Sequence, residues 1–482
     1  MSGQALLALD LGTTSVRALV VGDDGRVLAR AQRPLGARYP RPGWIEQDAE
    51  EMWTRAQDVL REALAASRLD ARSVAGLGVV TQRGSALAWD ARTLAPLAPV
   101  QSWQDQRTAE RVAGFRAAGI PINTLATATK FEWWMKHDDA VQSAAREQRL
   151  RLGTPDVWLA ARLSRGALHV TDPGNASCTA LFDVAGGEWS QGLLDLFAVP
   201  REALPEVVPT SGVLGETPAE LLATPVRVAA LAGDQQASAF AQGVGRAGDA
   251  KLTLGTSAMF DVHTGERPGE PAPGSYPLAL WWLPDGTRAC CLEGVVITAG
   301  SAIDWLVEIG VARDAAELSR LAASATSSGG VAFVPALQGL GTPFMDDAAR
   351  GALLGITRGS GRAELARAAL EGVAQRCTDV CEAFPLGSGP LRVDGGLAQS
   401  DFLVQALADL SGREIARARE VEATALGAAS LAGLATGIFV DADACHASLP
   451  SPTLFAPIVE RSVREAARAH WRDSLARVAS RR

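Results

Sequence analysis

The sequence predicts an α/β fold in two related halves with a crevice between them, and three observations carry that prediction. The first is a strand–turn–strand device that occurs twice. Ala5–Leu9 runs into Asp10-Leu-Gly-Thr-Thr-Ser15 and resumes at Val16–Val21, while Lys251–Leu254 runs into Gly255-Thr256-Ser257 and resumes at Met259–His263. Such a repeat points to a duplicated architecture. The second is the alternation of short β-prone runs with helical stripes, the pattern of sheets covered by helices. The third is the mid-chain stretch Leu231-Ala-Gly-Asp-Gln-Gln236, where an apolar run stops at Gly233 and presents Asp234. Open α/β sheets bind ligands at the carboxyl ends of their strands. Asp234 is therefore the candidate general base, although a Gly-Asp turn taken alone is more often structural.

Taken in order, Asp23-Asp24-Gly25 is a hairpin turn after the first return strand. The Gly-Thr-Thr-Ser turn before it forms a cup of N–H groups and hydroxyls suited to phosphate oxygens. Asp10 at its lip is a candidate Mg²⁺ ligand, because that ion prefers carboxylate and phosphate oxygens. Asp48 reads as the N-cap of a helix with Trp53, Ala56, Leu60 and Leu64 on one stripe. The strand Ala75–Val80 delivers Gln82-Arg83 to its carboxyl end, where Arg83 suits a substrate hydroxyl, a phosphate or a surface ion pair. Trp103-Gln-Asp-Gln-Arg107 has the make-up of a sugar-binding wall, and Thr127, Lys130, Trp133 and Trp134 lie near a helix start.

The stretch Gly243–Asp249 reads as the hinge between halves, giving units 1–245 and 246–440 with a helical tail over 441–482. In the second half, Gly294–Leu306 reads as a glycine-bearing turn into a helix. Val331–Pro335 is a strand, and Ala363–Phe384 is a long helix burying Leu365, Ala369, Val373, Cys377 and Cys381. Leu391–Gly396 is a strand ending in Gly-Gly, and Ser400 caps the next helix. Close backbone approach and a helix N-terminus make this a second nucleotide contact. The tail helix carries Val463, Ala467, Trp471, Leu475 and Val478 on the stripe expected to dock.

Composition bounds the function. The chain has 482 residues, 47 % of them hydrophobic and 21 % charged, with a net charge of −8. An acidic balance argues against nucleic-acid binding through a basic face. Asp10 and Arg17 interrupt the first apolar run, which has no basic segment before it, so no secretory signal is expected. The uncharged run Ala423–Val440 is as long as a membrane span, but its Ala, Gly, Ser and Thr predict a tightly packed buried helix and no membrane partner. Six cysteines without a Cys-x-x-Cys pair predict a reducing, cytoplasmic setting and no zinc site. A homodimer is left open.

These motifs together resemble the FGGY carbohydrate kinases, closest in pattern to the glycerol kinases among them. The resemblance rests on Asp10–Ser15 with Arg17, Tyr39-Pro-Arg-Pro-Gly-Trp44, Trp103–Arg107, Thr171-Asp-Pro-Gly-Asn-Ala-Ser177, Gly233–Gln236, Gly255-Thr256 and Arg392-Val-Asp-Gly-Gly396. It implies two actin-like (ribonuclease H-like) domains with a duplicated core and an interdomain catalytic cleft. It also implies ATP-dependent phosphorylation of a small polyol or sugar, with Mg²⁺ near Asp10. Asp234 would be the base, and Arg83, Trp103 and Gln235 would bind substrate. Thr13, Thr14, Ser15, Arg17, Gly255 and Thr256 would lie along the phosphates, and Gly300, Asp304, Gly396 and Ser400 would flank the adenosine. Asp304 and Ser400 depart from the Gln and Asn usual in glycerol kinases.

The acceptor pocket departs further. Gly84 replaces a hydroxyl-binding glutamate, Leu125 a tyrosine and Met259 a phenylalanine. Fewer hydrogen-bond partners and more room are expected, hence a larger polyol or ketose in place of glycerol. The alternatives are a kinase for glycerol itself, a non-catalytic actin-like ATP sensor, and a hydrolase using water as acceptor.

Overall fold

The computed structural model describes residues 3–118, 120, 122–419 and 422–480. Its two main sheets are built to one plan. The first contains β1 (Ala5–Leu11), β2 (Ser15–Gly22), β3 (Val27–Pro34), β4 (Val74–Thr81), β5 (Ser211–Glu216) and β6 (Arg227–Gly233), in the order β3-β2-β1-β4-β6-β5. The second contains β7 (Ala250–Leu254), β8 (Ala258–Gly265), β9 (Tyr276–Trp282), β10 (Arg288–Val296), β11 (Leu391–Asp394), β12 (Ile415–Arg417) and β13 (Thr453–Phe455). Its order is β9-β10-β8-β7-β11-β12-β13.

Leaving out β9, both sheets read antiparallel, antiparallel, parallel, parallel, antiparallel from one edge to the other. The duplication expected from two Gly-Thr turns is thus present in strand direction, and β9 is an added edge strand of the second sheet.

Every residue of β1 is buried, which is what a central strand covered on both faces requires. Helix α1 (Ala49–Ser67) covers one face. The Asp48 side chain accepts from the Glu50 and Glu51 amides at 2.9 and 3.2 Å and so caps it. Ala56 and Leu60 are buried beneath, with Trp53 and Leu64 packed at the margin.

The Ala/Gly-rich run forms helix α7 (Ala423–Thr436) against the other face of the first sheet. The polypeptide thus returns from the second sheet to close over the first. Its small residues have a steric cause. A Cβ on Gly78 of β4 would overlap the Ala428 carbonyl, and one on Gly427 would overlap the Ala237 carbonyl. Backbones approach that closely only without side chains.

Two expectations are corrected. Gly294 lies inside β10, and the turn into the next helix comes after Val296. In the tail helix α8 (Arg461–Ala476) Val463 is exposed, and Arg468, Trp471, Ser474 and Leu475 face inward. Arg468 can be buried because Gln375, Asp379 and Glu382, on the long helix Arg362–Ala383 and at its margin, accept its donors at 2.6–3.1 Å. The charged residue, not the valine, sets the docking face.

The α7 contact yields a prediction. Gly427→Ala forces a methyl against a backbone carbonyl and lowers stability by about 1–3 kcal/mol, the usual range for overpacking. Urea unfolding should show a lower midpoint with an unchanged slope.

Candidate functional site

Strand register places the key turns at one edge. Leu11 of β1 and Gly233 of β6 both pair with Thr81 of β4. The three carboxyl ends therefore deliver Asp10 with its Gly-Thr turn, Gln82-Arg83, and Asp234 side by side. On the second sheet Thr253 of β7 pairs with Asp394 of β11, so Gly255-Thr256 and Gly395-Gly396 share the facing edge. Polar contacts join the two edges: Gln235 to Lys251 at 2.8 Å, Gln242 to Asp394 at 2.9 Å and Arg83 to Glu293 at 2.5 Å.

Between them lies a cavity of about 270 Å³. Of the residues singled out from sequence, Thr13, Arg83, Gly84, Trp103, Leu125, Asp234, Gln235, Gly255, Thr256 and Met259 line it. Asp10, Thr14, Ser15, Arg17, Gly300, Asp304, Gly396 and Ser400 do not.

Asp234 opens helix Asp234–Ala241 and keeps 34 % of its side chain exposed. Its carboxylate accepts from the Gln235 amide at 2.8 Å and lies 3.2 Å from Arg83 Nε. Burial raises its pKa above the usual carboxylate value, against the pull of Arg83 and the Gln235 amide. Gln235 Oε1 takes bonds from Lys251 Nζ and Thr253 Oγ1 at 2.8 and 2.9 Å. With its oxygen fixed in this way, the Gln235 amide NH₂ is left to the cavity.

The first cup is braced from behind. Trp103 Nε1 donates to Thr13 Oγ1 at 2.8 Å, and Gln47 Nε2 donates to the Thr13 carbonyl at 2.8 Å. Asp10 is buried, and burial pushes its pKa up to about 7, with Arg17 opposing and Asp234 adding to the rise. Arg17 lies between Asp10 at 3.6 Å and Glu422 at 3.2 Å. In the second half, Gly300 N–H donates to the Gly255 carbonyl at 2.9 Å. A Cβ there would lie 2.6 Å from the same oxygen, so only glycine allows that clamp. Asp304 is exposed and Gly396 starts a short 3₁₀ turn. Ser400 caps the helix Asp401–Ser411 and shares a hydrogen bond with Ser319 at 2.7 Å.

The room expected at Gly84 is absent. Its φ is +72°, and a Cβ there would sit 2.6 Å from the Leu125 carbonyl. Buried Lys130 donates to the Thr124 carbonyl at 2.6 Å and reaches Leu125 O at 3.4 Å, holding this loop down on the glycine. Burial lowers the Lys130 pKa to about 7. Gly84 is thus a close-approach position filled by backbone, not an empty subsite.

Sequence reasoning missed one feature of the cavity altogether. Lys251 pairs with Asp261, Asp261 with Glu293, and Glu293 with Tyr276 as directly opposed residues on β7, β8, β10 and β9. Directly opposed residues of adjacent strands point to the same face. This row turns toward the first half, and both Glu293 and Tyr276 line the cavity. The available signal was a lone charge inside each of three apolar runs, as in Cys291-Leu-Glu-Gly294.

Facing strand edges, paired Gly-Thr turns and an acid between them define a two-domain phosphotransferase of the actin-like (ribonuclease H-like) class. The chain belongs to the FGGY family of carbohydrate kinases: the family's N-terminal domain model matches residues 5–241 and its C-terminal domain model residues 250–436. It is 41 % identical to a glycerol kinase of Aromatoleum aromaticum, with 98 % of each chain covered, and 40 % identical to one of Citrifermentans bemidjiense, with 97 % of each covered. The fold matches Plasmodium falciparum glycerol kinase with ADP at a TM-score of 0.93, 24 % identity, over 100 % of this chain and 99 % of that one. Xylulose kinase from Rhodospirillum rubrum matches at a TM-score of 0.83 and 26 % identity, over 98 % of both. The chain is thus a glycerol-kinase-like carbohydrate kinase, an ATP-dependent phosphotransferase. Among the described residues no helix is long and apolar enough to cross a membrane.

The buried row has a pH signature. Burial, and then Glu293 opposite, raise the Asp261 pKa above the ordinary carboxylate range. The folded chain therefore keeps a proton that the unfolded chain has released. Stability falls as pH rises from the ordinary carboxylate value toward the raised one, at about 1.4 kcal/mol per pH unit for one proton. Comparing thermal unfolding of the wild type and Asp261→Asn across that window should show the slope reduced in the variant.

Proposed function

We propose that this kinase transfers the γ-phosphoryl group of ATP to a hydroxyl of a polyol or ketose somewhat larger than glycerol, with Asp234 as base. The acceptor oxygen attacks the γ-phosphorus, the bond to ADP breaks, and the hydroxyl proton passes to Asp234. The observation that carries this reading is Asp234 itself, a carboxylate at a strand end that opens onto a buried cavity between two Gly-Thr turns. A base with a raised pKa is better matched to a hydroxyl proton than an ordinary carboxylate. Arg83 and Gln235 orient the acceptor, and Trp103 supplies an apolar wall while steadying Thr13.

Thr13, Gly255 and Thr256 offer amides and hydroxyls to the transferred phosphoryl group, with Thr14, Ser15 and Arg17 beside them. Gly300, Asp304, Gly396 and Ser400 would lie along the adenosine. Mg²⁺ neutralises phosphate charge when bound. Asp10 fits such an ion, because a carboxylate whose burial raises its pKa to about 7 gains from a nearby cation. Phosphoryl transfer depends mainly on such positioning and charge stabilisation. Six free cysteines support a reducing compartment such as the cytoplasm.

The acceptor size follows from the lining. Position 84 has no carboxylate, and Leu125 and Met259 are apolar, so hydroxyls must find partners farther from Asp234. The cavity of about 270 Å³ takes the acceptor together with the transferred phosphoryl group, since Thr13, Gly255 and Thr256 line it too. Glycerol is the second reading, favoured by the identity of about 40 % to glycerol kinases.

A coupled ADP-release assay over glycerol, tetritols, pentitols and ketopentoses tests both readings. The proposal expects the highest kcat/KM for a four- or five-carbon compound; a maximum at glycerol would establish the second reading. Asp234→Asn should lower kcat by roughly 10²–10⁴-fold, the span of general-base catalysis, while ATP binding by calorimetry is retained. Unchanged turnover would remove Asp234 from the role.

A further inference from the structure

Three ionisable side chains in one row of a buried sheet are poor scaffold. A buried ion pair is often no better for stability than apolar residues of the same volume. Lys251 has a use, since it fixes Gln235 Oε1. Asp261 backs Glu293 from the neighbouring strand. Glu293 and Tyr276 remain, and both reach the cavity.

Glu293 is 6 % exposed, and its Oε2 lies 2.5 Å from Arg83 Nη2. The same guanidinium lies 3.2 Å from Asp234. Asp234, Arg83 and Glu293 therefore form one connected line, with Tyr276 directly across from Glu293 on β9. Tyr276 is half-buried, and its phenol has no hydrogen-bond partner among the described residues. A phenol both donates and accepts, so an unpartnered one on the cavity wall is suited to a ligand hydroxyl. Beside the pair lie the apolar side chains of Leu278 and Met259, matching the carbon backbone of a polyol.

We propose that Tyr276 and Glu293 recognise the distal hydroxyls of the acceptor, supplying from the second domain the polar contacts that position 84 lacks. The carboxylate accepts from a hydroxyl while Arg83 holds it in place. The phenol both donates and accepts, so two neighbouring hydroxyls can be satisfied together. Acceptor choice is then made on the added edge strand β9 and its neighbour β10. This inference rests on the cavity being the acceptor site of a carbohydrate kinase.

Calorimetric titration of the full chain with the polyol and ketose panel tests the pair without requiring turnover. Tyr276→Phe should weaken the preferred acceptor roughly two- to tenfold, the range for one neutral hydrogen bond. Glu293→Gln should weaken it roughly tenfold or more, since the bond is to a charged group. A non-hydrolysable ATP analogue should bind all three proteins equally. An acceptor analogue lacking the distal hydroxyl should bind the wild type and Tyr276→Phe alike, because the contact is already gone.

Unchanged acceptor affinity in Tyr276→Phe, or no polyol bound by the wild type, would overturn the proposal. So would equal weakening of nucleotide and acceptor, the mark of a scaffold role. Thermal unfolding checks that Glu293→Gln folds, and Tyr276→Phe decides the matter if it does not. Failure of the phosphoryl-transfer reading would appear instead in the Asp234→Asn assay, leaving these affinities interpretable.

Discussion

The Arg83 guanidinium is the constraint on which the cleft depends. It comes from the end of β4 in the first sheet, yet Glu293 of the second sheet takes its Nη2 while Asp234 lies beside its Nε. Burial alone would lower its pKa, but the surrounding acids, Glu293 first, outweigh that and hold it above the ordinary arginine value. A permanently charged, planar donor serves two carboxylates at once, as lysine could not. It fixes the spacing between Asp234 and the opposing wall, and with it the length of the cavity.

Around that cation the two sheets follow one plan with one exception. Duplicated strand order brings two Gly-Thr turns to facing edges. Similar halves alone would give the cavity like walls on both sides. Strand β9 breaks the symmetry on one side only, and its first residue is Tyr276. The asymmetry of the cavity is thus added at the edge of a sheet, where an extra strand does not disturb the core.

Much of this architecture was legible in sequence because it is local. Strand ends, the caps at Asp48 and Ser400, and the turn at Gly233-Asp234 each depend on residues within a few positions. The row of Lys251, Asp261, Glu293 and Tyr276 was not legible, since only strand register across four strands brings those residues together. Gly84 shows the same limit from the other side. From sequence it is a missing side chain, hence a void. In the fold it is a left-handed residue beneath the Leu125 carbonyl, held down by Lys130, whose role depends on a loop about 40 residues away. Val463 misled because apolar periodicity ignores a buried arginine with five hydrogen bonds.

The contacts between the halves fall into two kinds, and their physics differs. Behind the sheets, Ala237 and Phe240 pack with Trp281, Cys291 and the α7 alanines in one apolar cluster. Opening that seam would return apolar surface to water at about 25 cal/mol per Å². At the cleft the contacts are polar: Arg83 with Glu293, Lys251 with Gln235, and Gln242 with Asp394. Each such bond involves a charged group and is worth about 1.5–3 kcal/mol net, because water or a ligand replaces the partner. A site that admits a nucleotide and a polyol and releases both products needs this arrangement. The apolar seam keeps the halves together, while the polar seam can exchange protein partners for substrate hydroxyls and phosphates. Charges that would be wasteful in a static core are suited to a surface whose second partner comes and goes.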